Sequence, residues 1–273
     1  MIKVGICGIA GRMGQRISHL TLEAEGLDLG GGVEFPGHPV IGKDIGEVIG
    51  VPPKGISVVD TVEAMTDNVD VITAFTAPPD PTVAAAEIAG RAGVPMVIGT
   101  TGLSSDQVET MTQALKDVAC VFAPNFSVGV TVLVQLVEEA ARILGGDYDA
   151  EIVEAHHRFK TDAPSGTAYA LAEAAARGLD RNLQEVGVYG RYGDTGVRTR
   201  EEIGVHAIRA GDIVGEHTVM FGGIGETIEL AHRAQSRDTF ASGVIRAIPF
   251  AVGAAPGMYD MRDVLGLRQK SKT

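Results

Sequence analysis

Three features are scarce or missing in this chain of 273 residues: cysteine, an excess of positive charge, and any long apolar run. Cys7 and Cys120 each lie in a short apolar stretch, and we expect two buried free thiols rather than a disulfide. The 23 Lys and Arg residues are outnumbered by 35 Asp and Glu residues, and the net charge of −12 argues against binding a nucleic acid. No run of about 18 uncharged apolar residues occurs, so we expect no membrane span. Arg12 and Arg16 follow the first apolar run too closely for a signal peptide, and we expect a cytoplasmic protein.

The composition is that of a folded globular protein, with 45% hydrophobic and 21% charged residues. At roughly 100–200 residues per domain, the length fits one large domain or two ordinary ones. The first 126 residues alternate short apolar runs with helical patterns, which predicts a parallel sheet covered by helices on both faces. Strands are expected at 2–8, 27–34, 56–59, 69–75, 94–98 and 118–122, and helices at 11–25, 81–91 and 105–115.

The pattern changes after Asn125, where strands begin to follow strands, and this indicates an antiparallel or mixed sheet. The order is one long helical pattern, four strand-like runs and a last helical pattern, at 127–144, 148–155, 203–210, 213–221, 226–234 and 240–252. We therefore predict an α/β fold with two domains. A Rossmann-like domain is expected at 1–126 with 238–273, and a second α+β domain, built on a mixed sheet, at 127–237.

A glycine-rich segment, Gly8-Ile9-Ala10-Gly11-Arg12-Met13-Gly14, separates the first predicted strand from the first predicted helix. Glycines there let the backbone turn tightly and approach a pyrophosphate, whose charge the helix N-terminus favours. The spacing is GxxGxxG rather than GxGxxG, and by itself it also fits an ordinary turn. Glu34 follows at the end of the second strand, where a carboxylate can accept both ribose hydroxyls; its alternative is a solvated loop acid. The two signals together predict a dinucleotide site.

Two further segments follow apolar strands at the positions where open α/β sheets bind ligands. They are Phe75-Thr76-Ala77-Pro78 and Gly99-Thr100-Thr101-Gly102. Their hydroxyls and backbone amides could hold a phosphate, a ribose or a nicotinamide carboxamide. Without the glycine-rich segment, ordinary turn chemistry would describe them equally well.

A basic segment begins at Glu154 and runs EAHHRFKTDAPSGTA. Four of the five residues at 156–160 are basic or imidazole in a chain of net charge −12, which favours an anionic ligand. Pro164-Ser165-Gly166-Thr167 then opens a predicted helix, whose first amides form a second anion cradle. A basic cluster beside a helix N-terminus suits a ligand with two carboxylates. The alternative is a pair of core histidines followed by a capped helix.

The segment at 154–168 resembles the dihydrodipicolinate reductase family of bacterial lysine biosynthesis. The resemblance extends to Gly99–Gly102, to the PNFSVG string at 124–129, to the RAGDIVGEH string at 209–217 and to MRDVL at 261–265. It implies hydride transfer from NADH or NADPH to a cyclic 2,6-dicarboxylate, giving tetrahydrodipicolinate on the diaminopimelate route to lysine. It also implies a homotetramer assembled through the second domain, and no metal.

The resemblance assigns roles by position. His156 matches a proton donor or acceptor and Lys160 a companion proton donor, while His157, Gly166 and Thr167 match contacts to the substrate. The expected dinucleotide contacts are Gly8, Ile9, Ala10, Gly11, Arg12, Met13, Glu34, Gly99, Thr100, Thr101, Ala123, Pro124, Asn125 and Phe126. Many relatives carry an Arg directly after the ribose acid, whereas here Phe35 follows Glu34, which puts a preference for NADPH in doubt.

Two other functions fit part of this pattern. Another nicotinamide-dependent dehydrogenase, acting for example on an amino acid, would leave the second anion cradle at Gly166 and Thr167 unexplained. A nucleotide-sensing protein without turnover would need neither His156 nor Lys160. The sequence therefore predicts an enzyme with a small-molecule dicarboxylate substrate.

Overall fold

The computed structural model describes residues 1–236 and 238–268, which form two compact units. One unit contains residues 1–127 and the chain from Asp238 onward, and the other begins at Val128. The expected domain boundary at Arg237 and the tail after Arg268 lie outside the described residues.

The first unit is built on a parallel sheet with the strand order β11-β5-β4-β3-β1-β2. Strands β3 and β4 are buried along their whole length, which explains why all their residues except Thr73 are apolar. The Rossmann-like α/β architecture is thus confirmed. Its elements are β1 (Ile2–Cys7), α1 (Arg12–Glu23), β2 (Leu27–Val33), α2 (Ile45–Ile49), α3 (Glu63–Thr66), β3 (Val71–Ala74), α4 (Asp80–Ala92), β4 (Met96–Ile98), α5 (Ser105–Ala114), β5 (Ala119–Phe122), α9 (Asp238–Gly253), β11 (Gly257–Tyr259) and α10 (Met261–Val264).

The expected strand at 56–59 is wrong, because this segment forms only isolated bridges within the described residues. The Asp44 carboxylate accepts hydrogen bonds from the backbone amides of Lys54, Gly55 and Ile56 at 2.6–3.2 Å. A side chain therefore satisfies amides that a sheet ladder would otherwise pair. Strand β11, a three-residue strand at the sheet edge beside β5, was not among the predicted strands.

The second unit contains a mixed sheet with the strand order β10-β9-β6-β8-β7, as the sequence predicted. Strand β6 pairs parallel with β8 and antiparallel with β9. Helices α6 and α7 contribute to a core against one face of this sheet. The elements are α6 (Val128–Leu144), β6 (Asp149–His156), α7 (Gly166–Gly178), α8 (Leu183–Val186), β7 (Gly187–Tyr189), β8 (Ile203–Arg209), β9 (Gly215–Gly222) and β10 (Thr227–Ala234), with a 3₁₀ turn at Gly145–Asp147.

Strand β6 alternates strictly between its two faces. Ala150, Ile152, Glu154 and His156 are buried, whereas the residues between them are half-buried. Since side chains alternate along a strand, the first set lies on the same face as the core and the second set on the opposite face. Two polar residues at the end of this strand are therefore buried on the core side.

Both cysteines are free and buried, as expected. Burial raises the pKa of each thiol to about 12, so neither is a thiolate near neutral pH. Within residues 1–236 and 238–268, no helix combines the length and apolar character that a membrane crossing requires.

Candidate active site

The glycine-rich loop joins β1 closely to the start of α1. Gly8 has a φ of +77°, a left-handed conformation that favours glycine. A Cβ on Gly14 would lie 2.0 Å from the Gly8 carbonyl oxygen, so the helix approaches the loop more closely than a side chain allows. Helix α1 has no side-chain cap from the described part of the chain and no acidic residue in its first turn. Its first amide groups are therefore available to an anion such as a pyrophosphate.

Glu34 lies against this loop, where its Oε1 accepts a hydrogen bond from Ala10 N at 2.8 Å. The carboxylate is half-buried just beyond β2. Phe35 is 63% exposed and packs edge-on against the His38 ring. A carboxylate is thus fixed beside the loop, and the next residue presents an aromatic ring rather than a cation.

The ends of β3, β4 and β5 bring the other predicted dinucleotide contacts to one edge of the sheet. Gly99 N donates to Ala74 O at 3.0 Å, and Ala123 N donates to Ile98 O at 3.1 Å. A Cβ on Gly99 would lie 1.9 Å from the Phe75 ring, so this ring covers the glycine. Segments 75–78, 99–102 and 123–126 therefore leave the sheet side by side.

Two aromatic rings meet at that edge, with the centroids of Phe75 and Phe126 5.3 Å apart. Asn125 Oδ1 accepts a hydrogen bond from Ser127 N at 2.8 Å, which fixes the bend after Pro124. Pro124 is exposed, whereas Phe126 is buried. The segment is thus anchored by its phenyl ring, while Pro124 is exposed and Asn125 is half-buried.

Three threonine hydroxyls form a chain at the same edge. Thr82 Oγ1 lies 2.8 Å from Thr76 Oγ1 and 2.6 Å from Thr100 Oγ1, and Thr100 Oγ1 accepts from Thr76 N at 3.0 Å. The Thr100 hydroxyl is therefore bound within the protein, while Thr101 is exposed. Thr82 lies inside α4, and the sequence analysis missed it because a buried helical threonine carries no local signal.

Glu154, on the core face of β6, is fully buried and accepts four hydrogen bonds. The donors are His156 Nδ1 at 2.6 Å, the two terminal nitrogens of Arg209 at 2.8 Å each, and Ser165 N at 3.0 Å. Burial alone would raise the pKa of Glu154, but the hydrogen bonds from Arg209, His156 and Ser165 outweigh it, and the pKa is lowered. The buried carboxylate is therefore ionised.

His156 is the last residue of β6, and its side chain is 11% exposed. Because Nδ1 is bound to Glu154, Nε2 is the nitrogen that remains for a ligand. The ring packs edge-on against His217, with centroids 5.2 Å apart. Gly215 lies close on another side, where a Cβ would come within 3.1 Å of Nε2.

His217 lies behind this histidine on β9 and is 4% exposed. Its Nε2 is 3.1 Å from the hydroxyl of Ser165, and its buried Nδ1 has no hydrogen-bond partner among the described residues. Burial, reinforced by the charge of His156, lowers the pKa of His217 to about 4. His217 is therefore neutral near pH 7.

Helix α7 begins at Gly166, as expected, with the Ser165 hydroxyl accepting from Ala168 N at 3.2 Å. Gly166 is exposed, and a Cβ placed on it would meet no described atom within 4 Å. The open space lies where the first-turn amides of Gly166 and Thr167 would meet an anion. The structure thus leaves room for a ligand at this helix end.

The remaining basic residues follow His156 in a short loop. Lys160 Nζ contacts both carboxylate oxygens of Asp162 at 2.7 and 2.8 Å. His157 is half-buried with its Nδ1 unbonded within the described structure, and its ring lies 6.2 Å from that of the exposed Phe159. The Lys160 ammonium is therefore held near the strand end by a carboxylate that an anionic ligand would have to replace.

The predicted residues thus fall into two sets. The expected dinucleotide contacts lie in the first unit, and His156, His157, Lys160, Gly166 and Thr167 lie in the second. No role was predicted for Glu154, Ser165, Arg209 or His217, although all four lie in the sequence motifs that carry the family resemblance. The alternation of β6 could have indicated Glu154, because it shares a face with His156. Within the described residues, no group of three or more His, Cys, Asp or Glu side chains is arranged to hold a metal.

Comparison with protein families covers nearly the whole chain. Residues 2–126 match the family model described as dihydrodipicolinate reductase, N-terminus, and residues 129–265 match the one described as dihydrodipicolinate reductase, C-terminus. The second match extends beyond the second unit into α9, β11 and α10.

Individual relatives agree with these matches. The 4-hydroxy-tetrahydrodipicolinate reductase of Syntrophobacter fumaroxidans is 50% identical, over 98% of this chain and 100% of that protein. The corresponding reductase of Magnetococcus marinus is 48% identical, over 98% and 99%. Among solved structures, the dipicolinate-bound dihydrodipicolinate reductase of Paenisporosarcina sp. TG-14 aligns with a TM-score of 0.75 and 27% identity, over 95% of this chain and 97% of that one.

Proposed function

This chain belongs to the dihydrodipicolinate reductase family, and we propose that its two residue sets divide the reductase reaction between cofactor and substrate. It is an NAD(P)H-dependent oxidoreductase with 4-hydroxy-tetrahydrodipicolinate reductase activity, on the diaminopimelate route to lysine. The observation that carries the assignment of roles is the buried Glu154–His156 pair beside an open helix N-terminus.

The first unit is proposed to bind the dinucleotide. A pyrophosphate fits the start of α1, where no side chain caps the helix and no acidic residue of the first turn repels an anion. Gly14 lets the helix approach the glycine-rich loop more closely than a side chain would allow. Glu34 is held beside the loop, where it can accept the ribose hydroxyls. Gly99, Thr101 and the segment at 123–126 line the adjacent edge. When bound, the reduced nicotinamide supplies the hydride.

The second unit is proposed to bind the dicarboxylate. One carboxylate would lie at the amides of Gly166 and Thr167, where the helix N-terminus favours negative charge. Lys160 would neutralise the other in place of its present partner Asp162, and His157 would border the ligand. The dipicolinate-bound relative has a ligand of this chemistry. Two carboxylates thus have two separate cationic or amide-lined positions.

Proton delivery is proposed to come from this same cluster. Hydride addition to a ring conjugated with an imine leaves negative charge that a nearby acid must neutralise. His156 offers a proton at Nε2, since its Nδ1 is bound to Glu154, and Lys160 is the companion acid. Replacing His156 with Gln or Lys160 with Met should lower turnover by about 10²–10⁴-fold. Near-normal turnover in both variants would remove this role.

The protein is further proposed to form a homotetramer and to be located in the cytoplasm. The face of the mixed sheet opposite α7 is half-buried along β6 and carries Val153 and Ala155, which fits a surface covered by other copies. The two buried free thiols are usual in a reducing compartment. Light scattering of the purified protein would test the tetramer.

The assay that tests the reaction follows loss of NADH absorbance with freshly made 4-hydroxy-tetrahydrodipicolinate, beside pyruvate and oxaloacetate. Turnover is expected with the cyclic substrate alone. A Gly166→Ala variant should bind substrate and pyridine-2,6-dicarboxylate more weakly with its fold intact, because the added Cβ enters space occupied by no described atom. Unchanged inhibition in that variant would place the carboxylate elsewhere.

Cofactor preference depends on Glu34 and Phe35. A carboxylate beside the ribose favours two free hydroxyls, and Phe35 offers no cation to a 2′-phosphate. Charge-assisted contacts are worth roughly 1.5–3 kcal/mol, about ten- to a hundredfold in affinity. NADH is therefore expected to serve at least as well as NADPH, and Phe35→Arg should shift preference toward NADPH. Tighter binding of NADPH to the wild type would mean that another cation, Arg12 first, meets the phosphate.

A further inference from the structure

We propose that Glu154 is a positioning residue, which orients His156 and the N-terminus of α7 together and keeps Nε2 of that histidine as the proton-exchanging atom. The inference rests on the proposed function for the role of His156. Its structural basis is one buried carboxylate that accepts from the His156 ring through Oε2 and from the Ser165 amide through Oε1. His156, the proposed acid, and the start of α7, which would bind a substrate carboxylate, are thereby both held by Glu154.

The protonation of His156 follows from this contact. An ionised carboxylate only accepts hydrogen bonds, so Nδ1 must carry a proton whether the ring is neutral or charged. The proton that the ring gives up is then the one on Nε2. After donation, His156 is left neutral, with its Nδ1 proton still bound to Glu154 and a lone pair on Nε2, which takes up a proton from water.

The ionised state of Glu154 depends on Arg209. This guanidinium donates one hydrogen bond to each carboxylate oxygen at 2.8 Å, a bidentate pair from β8 that holds the carboxylate plane. Arg209 also donates to the backbone oxygen of Asp162 at 2.5 Å, which links the pair to the loop carrying Lys160. Strand, loop and helix end thus share one buried anion.

Several titratable groups surround the pair and enter any pH profile. His217 on β9 is neutral near pH 7 and lies against the His156 ring, with the half-buried His232 opposite it on β10. Within the described residues, the other charged or titratable groups that interact with the pair or with His217 are Arg209 from β8, His232 from β10, and Lys160 and Asp162 from the loop after β6.

Glu154→Gln is the variant that tests the inference, since it keeps the shape and removes the charge. Turnover should fall about 10–100-fold, and the alkaline limb of the kcat/KM profile should move to lower pH because the imidazolium loses its anionic partner. Binding of pyridine-2,6-dicarboxylate should weaken several-fold, while NADH binding should stay within twofold. The matched control is Glu151→Gln, which removes a similarly paired carboxylate from the opposite face of β6 and should keep the wild-type profile.

A merely structural Glu154 would give a less stable variant with the wild-type pH profile and inhibitor affinity, and that result would overturn the inference. If His156→Gln also kept full turnover, the proposed function would fail instead, so the two failures are distinguishable. Should Glu154→Gln not fold, ¹⁵N-histidine spectra of the wild type decide. The signal of His156 is identified as the one that is missing from the spectrum of the His156→Gln variant. In its neutral form, His156 is expected as the Nδ1–H tautomer, and an Nε2–H tautomer would contradict the inference.

Discussion

Strand β6 carries two carboxylates on its opposite faces, both bound by arginine and histidine, which differ in burial and in the segments that they connect. Glu154 is bound by His156 and Arg209 and is fully buried. Glu151, three residues earlier, is bound by His206, Arg191 and Arg198, and its side chain is 18% exposed. Three residues is an odd step along a strand, so the two clusters are separated by the sheet itself.

The comparison shows that the same residue types perform different tasks on the two faces. Hydrogen bonds from Arg191, His206 and Arg198 outweigh the effect of burial and lower the pKa of Glu151 to about 2. Arg191 and Arg198 tie the segment at 191–202 to the sheet, and the hydrogen bonds that these two arginines and His206 make to Glu151 all come from side chains. Glu154 has one cation fewer, but it binds the Ser165 amide at the start of α7. The inner cluster is therefore coupled to a ligand-binding helix end, and the outer cluster is coupled to a surface segment.

Removing one arginine from each cluster should give the largest difference. Arg209→Ala leaves a fully buried carboxylate without its bidentate partner, and we expect a loss of about 3–5 kcal/mol in the free energy of unfolding. Arg191→Ala leaves Glu151 with two other cationic or imidazole partners, and about 1 kcal/mol is expected. Urea unfolding at pH 7 and a fixed protein concentration measures both.

The stability loss in Arg209→Ala is expected to depend on pH. Without Arg209, burial raises the pKa of Glu154, so acid should neutralise the carboxylate and relieve the unpaired charge. The difference in the free energy of unfolding between Arg209→Ala and the wild type should therefore become smaller toward pH 4. Equal losses in the two arginine variants at pH 7 would show that burial does not distinguish the clusters.

The second contrast is between His217 on the inner face and His206 on the outer face. Unfolded histidine titrates near pH 6.5, whereas burial lowers the pKa of native His217 to about 4. Below pH 6.5, the native state therefore binds fewer protons at His217 than the unfolded state does. The stability that neutral His217 contributes is fully present above pH 6.5 and is lost as the pH falls toward 4. Between pH 7 and pH 5, the resulting loss in the free energy of unfolding is about 2 kcal/mol.

His217→Gln should remove most of that loss and keep a hydrogen-bonding group near the Ser165 hydroxyl. His206→Gln, the matched change at a half-buried histidine, should leave the loss in place. Urea unfolding at pH 7, 6 and 5 gives the slopes, in a range above the acid titration of the two glutamates. A wild-type slope in His217→Gln would mean that another group takes up the proton.

The contrast also shows what the sequence could predict. The order of elements in the first unit, the glycine-rich loop, Glu34 and the start of α7 at Gly166 all depend on local patterns, and the expected positions were close. The Glu154 cluster depends on Arg209, which pairs with His156 across the parallel β6–β8 ladder, and no local pattern gives that register. The missing strand at 56–59 has a similar cause, because the Asp44 side chain replaces a sheet neighbour there.

The smallest expected effects come from adding one methyl group to each face. A Cβ on Gly204 would lie 1.8 Å from the Glu151 carboxylate, and on Gly215 it would lie 3.1 Å from His156 Nε2. Gly204→Ala should displace the carboxylate from its cations, lowering the free energy of unfolding by about 1 kcal/mol with kcat unchanged. Gly215→Ala requires a shift of a few tenths of an ångström, so stability should stay within about 0.5 kcal/mol while kcat falls several-fold through the displaced Nε2. Parallel unfolding and turnover measurements separate the two, and a Gly215→Ala enzyme with full kcat would show that the position of Nε2 is not critical.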